Sequence, residues 1–596
     1  MSTRLFIWTF LHDIDAFDSR AMYAEPCREE RFLSFDSFED EQSALRSAWH
    51  LQRTGNFVAA LDLTQDGLRR WPTSQPLQHL WILALASCGS TQAALDALRA
   101  SSLSAEIDED YLALEARLLK DLAFSGTTPM AGTLLSQAAA AYERAAQRTG
   151  GTYTRQNAAL LWMLAGDTGR ALTLAAAVVQ RLTTSAVPRD ENGAYFHWAT
   201  LAEAAQVLGD QATLKRALAE ANLLCRRNSW ARSRTLLQMR RLAGMRPECA
   251  ALIEQWYRPP VGLVLNADGG PAHFGEAVAI DAGDTPALAY CYGREPNKEW
   301  HELAALGVQL HAIYPETPFE PKPPAANLPP ERDASGRADT HTWSSLFLDE
   351  TDDQQRFCAQ TALGLSLGQA GEMQAPWVLL AKSKGRWCMY QDADRTTVGS
   401  ALDSIGAPPG ERLKYAFLFA DAVSYSSLNA EETRRYWTSL LPQTAAAVLK
   451  RHVGNIVVRK TWGDSVHAVF RSASEAAAAA LEIQAATASL KEEFGHGRRL
   501  IFRMALHYGP ADHGIDPVEE VASVFGPQLS FAARIEPVAP PGGIFVTEPF
   551  AAQLSLEGAQ DVHCSYVGTT SLAKAYGRVR LLRLAQSWGN SAATLT

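Results

Sequence analysis

Asp421 and Asp464 are the residues whose surroundings point most directly to chemistry. Asp421 closes an apolar run, Lys414-Tyr415-Ala416-Phe417-Leu418-Phe419-Ala420, that reads as a buried strand and leads through Ser424, Ser426 and Ser427 into an expected helix. A carboxylate at a strand end, followed by free backbone N–H groups, suits a metal-bound phosphate. Asp464 follows Gly463 between the apolar runs 455–462 and 465–470, so the Gly-Asp pair predicts a hairpin with a second carboxylate at its tip. Alone, either aspartate would pass for a turn or cap residue. Their combination with the blocks around them gives them weight.

Five blocks follow in order: Phe419-Ala420-Asp421 with Tyr425-Ser426-Ser427-Leu428; Lys460-Thr461-Trp462-Gly463-Asp464-Ser465-Val466; Arg503-Met504-Ala505-Leu506-His507-Tyr508-Gly509; Phe525-Gly526 through Leu529-Ser530 to Ala532-Ala533-Arg534-Ile535; and Pro541-Gly542-Gly543-Ile544-Phe545-Val546-Thr547. Over residues 411–585 this run resembles the catalytic domain of the class III adenylate/guanylate cyclases. The resemblance implies an α+β, ferredoxin-like domain and assigns roles by position. Asp421 and Asp464 match the carboxylates that hold two Mg²⁺ or Mn²⁺ ions, one polarising the ribose 3′-hydroxyl and the other neutralising the triphosphate. Lys460 matches the base-reading lysine of adenylate cyclases, where guanylate cyclases carry an acid, which favours ATP. Its usual partner falls at Ser523, where many members have Asp and a hydroxyl can still meet the exocyclic amine. Arg534 matches the arginine that stabilises charge on the α-phosphate.

Ser530 stands where the family usually has Asn, one helical turn before Arg534; this is the main departure. Lys574 is the candidate for the family's terminal polyphosphate lysine. In this family the metal carboxylates come from one protomer and the base-reading and arginine residues from the other. The resemblance therefore implies a homodimer with two equivalent sites and an inactive monomer. The expected activity is an adenylate cyclase that makes 3′,5′-cyclic AMP and pyrophosphate. Ser523 and Ser530 leave open a cyclase making cyclic GMP or a cyclic pyrimidine nucleotide, and a repeat scaffold with a degenerate cyclase domain.

The elements around this domain fill a chain of 596 residues, long enough for about three to five domains. A hydrophobic share of 47% with 20% charged residues excludes a wholly disordered, collagenous or coiled-coil chain. With 55 basic and 65 acidic residues and no long run of either sign, a nucleic-acid partner is not expected. The cysteines (27, 88, 225, 249, 291, 358, 388 and 564) lack zinc spacing and read as thiols in a reducing cytoplasm. The segment 1–40 opens on an apolar stretch, Arg4–Leu11, too short for a signal peptide or a span. No later run reaches the length a membrane helix needs.

From 41 to 255, apolar residues recur at three- and four-residue steps, predicting a helical array. Gly55-Asn56-Phe57-Val58-Ala59-Ala60-Leu61 returns 34 residues later as Gly89-Ser90-Thr91-Gln92-Ala93-Ala94-Leu95, the tetratricopeptide period, with echoes at Gly166 and Gly209. Such an α-solenoid, with an irregular α-bundle as the alternative over 100–250, is expected to offer a concave face to a protein or peptide and to regulate the domain behind it. Residues 259–400 predict a small α/β domain with a parallel component, strands at 261–265, 287–292 and 308–314, a helix over 298–305, a loop over 315–342, a helix near 352–369 and a hairpin over 377–390. Asn266–Gly270 lacks phosphate-loop spacing, and this region is read as a sensory or structural insert. Residues 586–596 are a tail. His467, His496, His507, His513 and His563 are dispersed without metal spacing and read as structural or surface groups.

Overall fold

The computed structural model describes residues 40–101, 103, 109–125, 131–225, 229–265, 278–280, 285–293, 298–316, 342–348, 353–383, 385–391, 396, 398–399, 412–490, 493–494, 498–559, 561–572 and 577–586. Asn266–Gly270, His496 and Lys574 lie outside them.

The first region is a stack of helices: α1 Glu41–Arg53, α2 Phe57–Arg70, α3 Gln75–Ser87, α4 Thr91–Ala100, α5 Glu109–Phe124, α6 Ala131–Thr149, α7 Thr152–Leu164, α8 Thr168–Thr184, α9 Glu191–Leu208, α10 Gln211–Leu223 and α11 Ser229–Ala243, with the short α12 Ala250–Ile253 behind. Asp40, Asn56, Ser74, Asp167, Asp190 and Asp210 each cap a helix by accepting a backbone N–H. Gly55, Gly89, Gly166 and Gly209 sit in turns between helices with φ between +75° and +95°, a region where a side chain would be strained. From α1 to α10 each helix packs on the next, and α7, α9 and α11 also touch one another. They form an inner row, and α9 is accordingly buried on most of its surface, whereas α8 buries only Ala171, Ala175 and Val178.

The middle region is a seven-stranded sheet made of β1 Val261–Val264, β2 Val278–Ala279, β3 Leu288–Tyr292, β4 Gln309–Glu316, β5 Thr342–Phe347, β6 Trp377–Ser383 and β7 Arg386–Tyr390, ordered β2-β7-β6-β1-β3-β4-β5. The five strands from β6 to β5 run parallel, and β7 and β2 add antiparallel pairs at one edge. Helix α13, Lys298–Ala305, precedes β4, and α14, Gln354–Glu372, follows β5. Two differences from the sequence reading stand out. β4 continues through Pro315 to Glu316, and β5 begins at Thr342, so both ends of the expected loop belong to strands. The Ser344-Ser345 pair breaks the apolar pattern that would have announced β5.

The last region begins with β8 Lys414–Ala422. Then come α15 Ala430–Arg435, a π-helical turn Tyr436–Leu440, α16 Leu441–Gln443, α17 Ala445–Arg451, β9 Ile456–Trp462, β10 Ser465–Phe470 and α18 Ala473–Ser489. After the small pair β11 Glu493–Phe494 and β12 Arg498–Arg499 come β13 Phe502–Pro510, the hairpin of β14 Asp512–Ile515 and β15 Ala522–Phe525, α19 Pro527–Ala532, β16 Ile544–Thr547, α20 Glu548–Leu556, β17 Val562–Ser571 and β18 Arg578–Gln586. The sheet order is β17-β18-β16-β13-β8-β10-β9. Its part β13-β8-β10-β9 is antiparallel, with helices between β8 and β9 and between β10 and β13. That is a ferredoxin-like βαββαβ core.

Alternation along these strands gives the sheet two faces. The back face, with Ala416, Leu418, Ala420, Val466, Ala468, Phe470, Met504 and Leu506, shares one continuous hydrophobic core with the middle sheet. Helix α14 lies between them and crosses α20 so closely that a Cβ on Gly364 would overlap the Ala552 backbone. A buried ion network joins the same regions: Glu548 on α20 lies 3.2 Å from His311 Nε2 of β4 and 3.1 Å from Arg580 Nε of β18. The front face is divided. Ala505, Phe545 and Leu581 pack into the solenoid core, and the half around β8, β10 and β9 carries the candidate site.

Candidate active site

Asp421 is the penultimate residue of β8, on the front face, and is almost wholly buried. Register places Ser465 of β10 on one side of it and Arg503 of β13 on the other. Ser465 Oγ donates to Asp421 Oδ1 at 3.0 Å, and Arg503 Nη2 donates to Oδ2 at 2.8 Å. Arg503 Nε also lies 2.5 Å from Glu536 Oε1, as a close ion pair rather than an aligned hydrogen bond. Burial pushes the Glu536 carboxyl up to about 7 against the pull of Arg503. Asp464 sits in the tight β9–β10 turn beside Gly463 at φ +62°, and its carbonyl accepts from Tyr436 Oη at 3.2 Å. Its carboxyl is raised above the ordinary range by burial and then by the neighbouring Asp421. A carboxyl raised by burial and by a like neighbour is a place where a cation is favourable.

The segment after Asp421 differs from expectation. Ser424 takes φ +63°, a short 3₁₀ turn covers Tyr425–Ser427, and the helix starts only at Ala430, where Asn429 caps it. Free N–H groups near Asp421 therefore belong to a turn and not to a helix end. Strain at a non-glycine residue next to a candidate ligand is typical of functional loops.

A second group stands at the edge strand. Lys460 of β9 is in register with His467, and His467 with Phe419, so all three share the front face with Asp421. The Phe419 and His467 rings stack at 5.4 Å in the same cross-strand row as Lys460, one row in from Asp421, Ser465 and Trp462. Lys460 Nζ instead meets Asp516 Oδ2 at 3.5 Å and Glu519 Oε2 at 2.5 Å, in the loop joining β14 to β15. Asp516 is fixed there by the Val518 and Glu519 N–H groups at 2.9 and 3.2 Å. These contacts raise the lysine and lower the aspartate from their ordinary values, through the Glu519 hydrogen bond for the first and the backbone N–H groups for the second. Ser523 lies on β15, which packs against β9. Ser530 is exposed on α19, and Arg534 follows that helix with its Nε buried and without a hydrogen-bond partner.

Sequence reasoning did not single out Asp516, Glu519, Arg503 or Glu536. A charge inside the otherwise apolar β13 was the available signal for Arg503. His507, between Thr547 Oγ1 and Gln528 Oε1 at 2.8 and 2.7 Å, is buried and pushed down to about 4 by burial, so it acts as a packed neutral ring.

Residues 56–162 match the family model described as Tetratricopeptide Repeats-Sensor. A 136-residue stretch is 30% identical to a protein of Rhizobium meliloti (strain 1021) named "Putative adenylate cyclase 3", covering 22% of each chain. The match thus spans about a fifth of that relative. Solved structures with similarity include the guanylate cyclase domain of RhGC from Catenaria anguillulae with GTP (16% identity, TM-score 0.26, 30% of this chain and 98% of that one). Trypanosoma brucei adenylate cyclases in their monomeric state give 21% identity and TM-score 0.24, over 30% and 93%. The guanylyl cyclase Cya2 gives 23% identity and TM-score 0.25, over 29% and 93%. The chain is similar at its start to tetratricopeptide sensor proteins and in its last region to class III nucleotide cyclase domains. No described helix is long and apolar enough to cross a membrane.

Proposed function

We propose that this protein is an adenylate cyclase that converts ATP to 3′,5′-cyclic AMP and pyrophosphate at a homodimer interface, under control of its helical repeats. The observation that carries this reading is the metal corner: Asp421 and Asp464 converge at the end of β8 and the tip of the β9–β10 hairpin, backed by Ser465 and Arg503.

The donors fit Mg²⁺ or Mn²⁺. Hard carboxylate oxygens suit both ions, and among the described residues no third His, Cys, Asp or Glu completes a cage, which leaves coordination room for water and phosphate. The Arg503 guanidinium on Asp421 Oδ2 marks where positive charge is favourable. Bound there, two ions would polarise the ribose 3′-hydroxyl and neutralise the departing pyrophosphate. Ser465 and Arg503 orient Asp421. Lys460 donates to the purine edge, and Ser523 offers a hydroxyl to the exocyclic amine. Arg534 meets charge gathering on the α-phosphate, Ser530 takes the place nearest the ribose, and Lys574 contacts the polyphosphate.

Three features support the dimer. Lys460 is held by Asp516 and Glu519 of the β14–β15 loop and not at Asp421, whose oxygens are taken by Ser465 and Arg503. Trp462 is 90% exposed at the hairpin tip, and Ile515, Val518, Val521 and Phe525 are exposed along the β14–β15 hairpin. Apolar side chains gathered in this way mark interaction surfaces.

Control by the repeats has a physical route. Asn56 Oδ1 accepts from Thr569 N–H at 3.2 Å, Ser90 Oγ donates to Pro541 O at 2.6 Å, and Phe531 and Ile535, which flank Arg534, lie in the solenoid's core. A shift of the solenoid would move Arg534, and misplacement by about 1 Å can cost roughly a hundredfold in rate. The test is a mass-spectrometric assay of the full-length protein with ATP, GTP, CTP and UTP and either metal. Cyclic AMP from ATP, absent with Asp464→Ala, is the expected result; a different cyclic product would overturn the substrate assignment.

A further inference from the structure

Two consecutive aromatic residues in the segment between β8 and β9 reach the metal corner. Pro442 has no N–H, so the helical ladder of this segment cannot close onto the Thr438 carbonyl. A ladder already short of one bond widens at little further cost. It does so in the π-helical turn Tyr436–Leu440, where the Leu441 N–H reaches back five residues to the Tyr436 carbonyl. Such turns occur mostly singly inside helices, and frequently at functional sites.

The turn grips the chain beside each aspartate. Tyr436 is wholly buried, and its Oη donates to the Asp464 carbonyl at 3.2 Å. The same carbonyl accepts from the N–H of Ala422, the residue after Asp421, at 3.4 Å. One oxygen thus joins the end of β8, the β9–β10 turn and the π-helical turn. Trp437 Nε1 donates to Tyr425 Oη at 3.0 Å, and Tyr425 opens the 3₁₀ turn that follows Asp421. The rings close the unit: Tyr425 meets Tyr436 at 5.0 Å and 68°, and Tyr436 meets Trp437 at 6.1 Å and 89°. Edge-to-face pairs of this kind fix the orientation of each ring.

Asp421 is anchored in a central strand, with Ser465 and Arg503 on its oxygens. Asp464 sits in the turn that ends the edge strand, so its place depends on what its backbone is tied to. We propose that Tyr436 is a positioning residue of the metal corner, its hydroxyl holding Asp464 at the spacing from Asp421 that two divalent cations require. The inference rests on the reading of that corner as a two-ion site. It extends that reading to a residue outside the five sequence blocks. A phenol suits the task, because it donates a hydrogen bond without adding a charge beside the ions. Groups of this kind, which touch a ligand's backbone rather than the metal, set how well a site is formed before the ion arrives.

The test reads metal binding apart from turnover. Mn²⁺ titrated into the full-length protein without nucleotide, and followed by loss of the free-ion electron paramagnetic resonance signal, should bind to the parent and not to Asp464→Asn. Tyr436→Phe keeps the ring and removes only the hydroxyl. It should weaken Mn²⁺ binding about tenfold, the scale on which metal sites respond to a lost outer hydrogen bond. With ATP and saturating Mn²⁺ its kcat should fall by a similar factor, while KM for ATP stays within about twofold because the base-reading edge is untouched. Val448→Ala, a packing loss on α17 in the same core, should lower the unfolding temperature more than Tyr436→Phe does and leave Mn²⁺ affinity at the parental value. Parental Mn²⁺ affinity in Tyr436→Phe would overturn the positioning role and leave the two-ion site standing. An equal loss of affinity in Val448→Ala would reduce Tyr436 to packing and overturn it as well. If the parent bound no Mn²⁺ that Asp464→Asn removes, the two-ion reading itself would fall, and the positioning role with it.

Discussion

The two faces of the cyclase-like sheet are built on opposite terms. Its back face is apolar from β10 to β16 and continues without a break into the core beneath the middle sheet, with α14 shared between them. Its front face carries Asp421, Ser465, Arg503, Lys460 and His467, half under the solenoid and half open. The same alternation along each strand produces both. One set of positions therefore answers to packing and the other to charge placement, and damage to each should register in a different measurement.

The largest effect should come from the front. Asp464→Ala removes one of two carboxylates at the metal corner, and product formation from ATP should fall about a thousandfold, the scale of losing a preorganised electrostatic partner. Circular dichroism and thermal unfolding should stay as in the parent protein, since Asp464 lies in a surface turn. Mixing Asp464→Ala with Arg534→Ala sharpens the point. If each site draws on two protomers, the equimolar mixture should recover about a quarter of parental activity, half of the dimers being mixed and each mixed dimer having one intact site. No recovery after prolonged exchange of subunits would count against the shared site.

On the back, Glu548 should matter for stability alone. Its carboxylate is buried with His311 and Arg580 and is held down to about 2, because these partners outweigh the cost of burial. Glu548→Gln leaves Arg580 short of a counterion and should lower unfolding free energy by about 3 kcal/mol at neutral pH. A carboxyl depressed in the folded state stabilises fully above its unfolded value and loses that advantage as pH falls toward its folded one. The gap between parent and variant in urea unfolding should therefore be constant above about 5 and close between about 4.5 and 2. A gap that widened in acid would contradict the ion network.

How far each face could be read from sequence follows from the range of its signals. Asp421 and Asp464 were legible because a strand end and a Gly-Asp hairpin are local patterns. The ferredoxin-like core followed from the resemblance of the whole run of blocks. Helix α14 carried a quieter signal: Phe357, Cys358, Ala359, Ala362, Leu363 and Leu365 point all round it, as expected of a helix covered on both sides. Asp516 and Glu519 were missed because they lie more than fifty residues from Lys460 in the chain and within a few ångströms of it in space.

That last contact gives the smallest and most discriminating prediction. Lys460 has three N–H donors, and two are directed at Asp516 and Glu519 before any nucleotide arrives. The purine edge must therefore share or displace them. Because the pair is open to solvent, screening keeps the interaction weak. Glu519→Gln should then lower the KM for ATP about two- to fivefold and leave kcat unchanged, since the contacts of Asp421 run to Ser465 and Arg503 and not to this loop. Asp516→Asn should do less for KM, because backbone N–H groups hold that side chain in its turn whether or not it is charged. If kcat fell with KM unaltered in Glu519→Gln, the hairpin carboxylates would be part of the reacting centre, and the separation between metal corner and base-reading edge would fail.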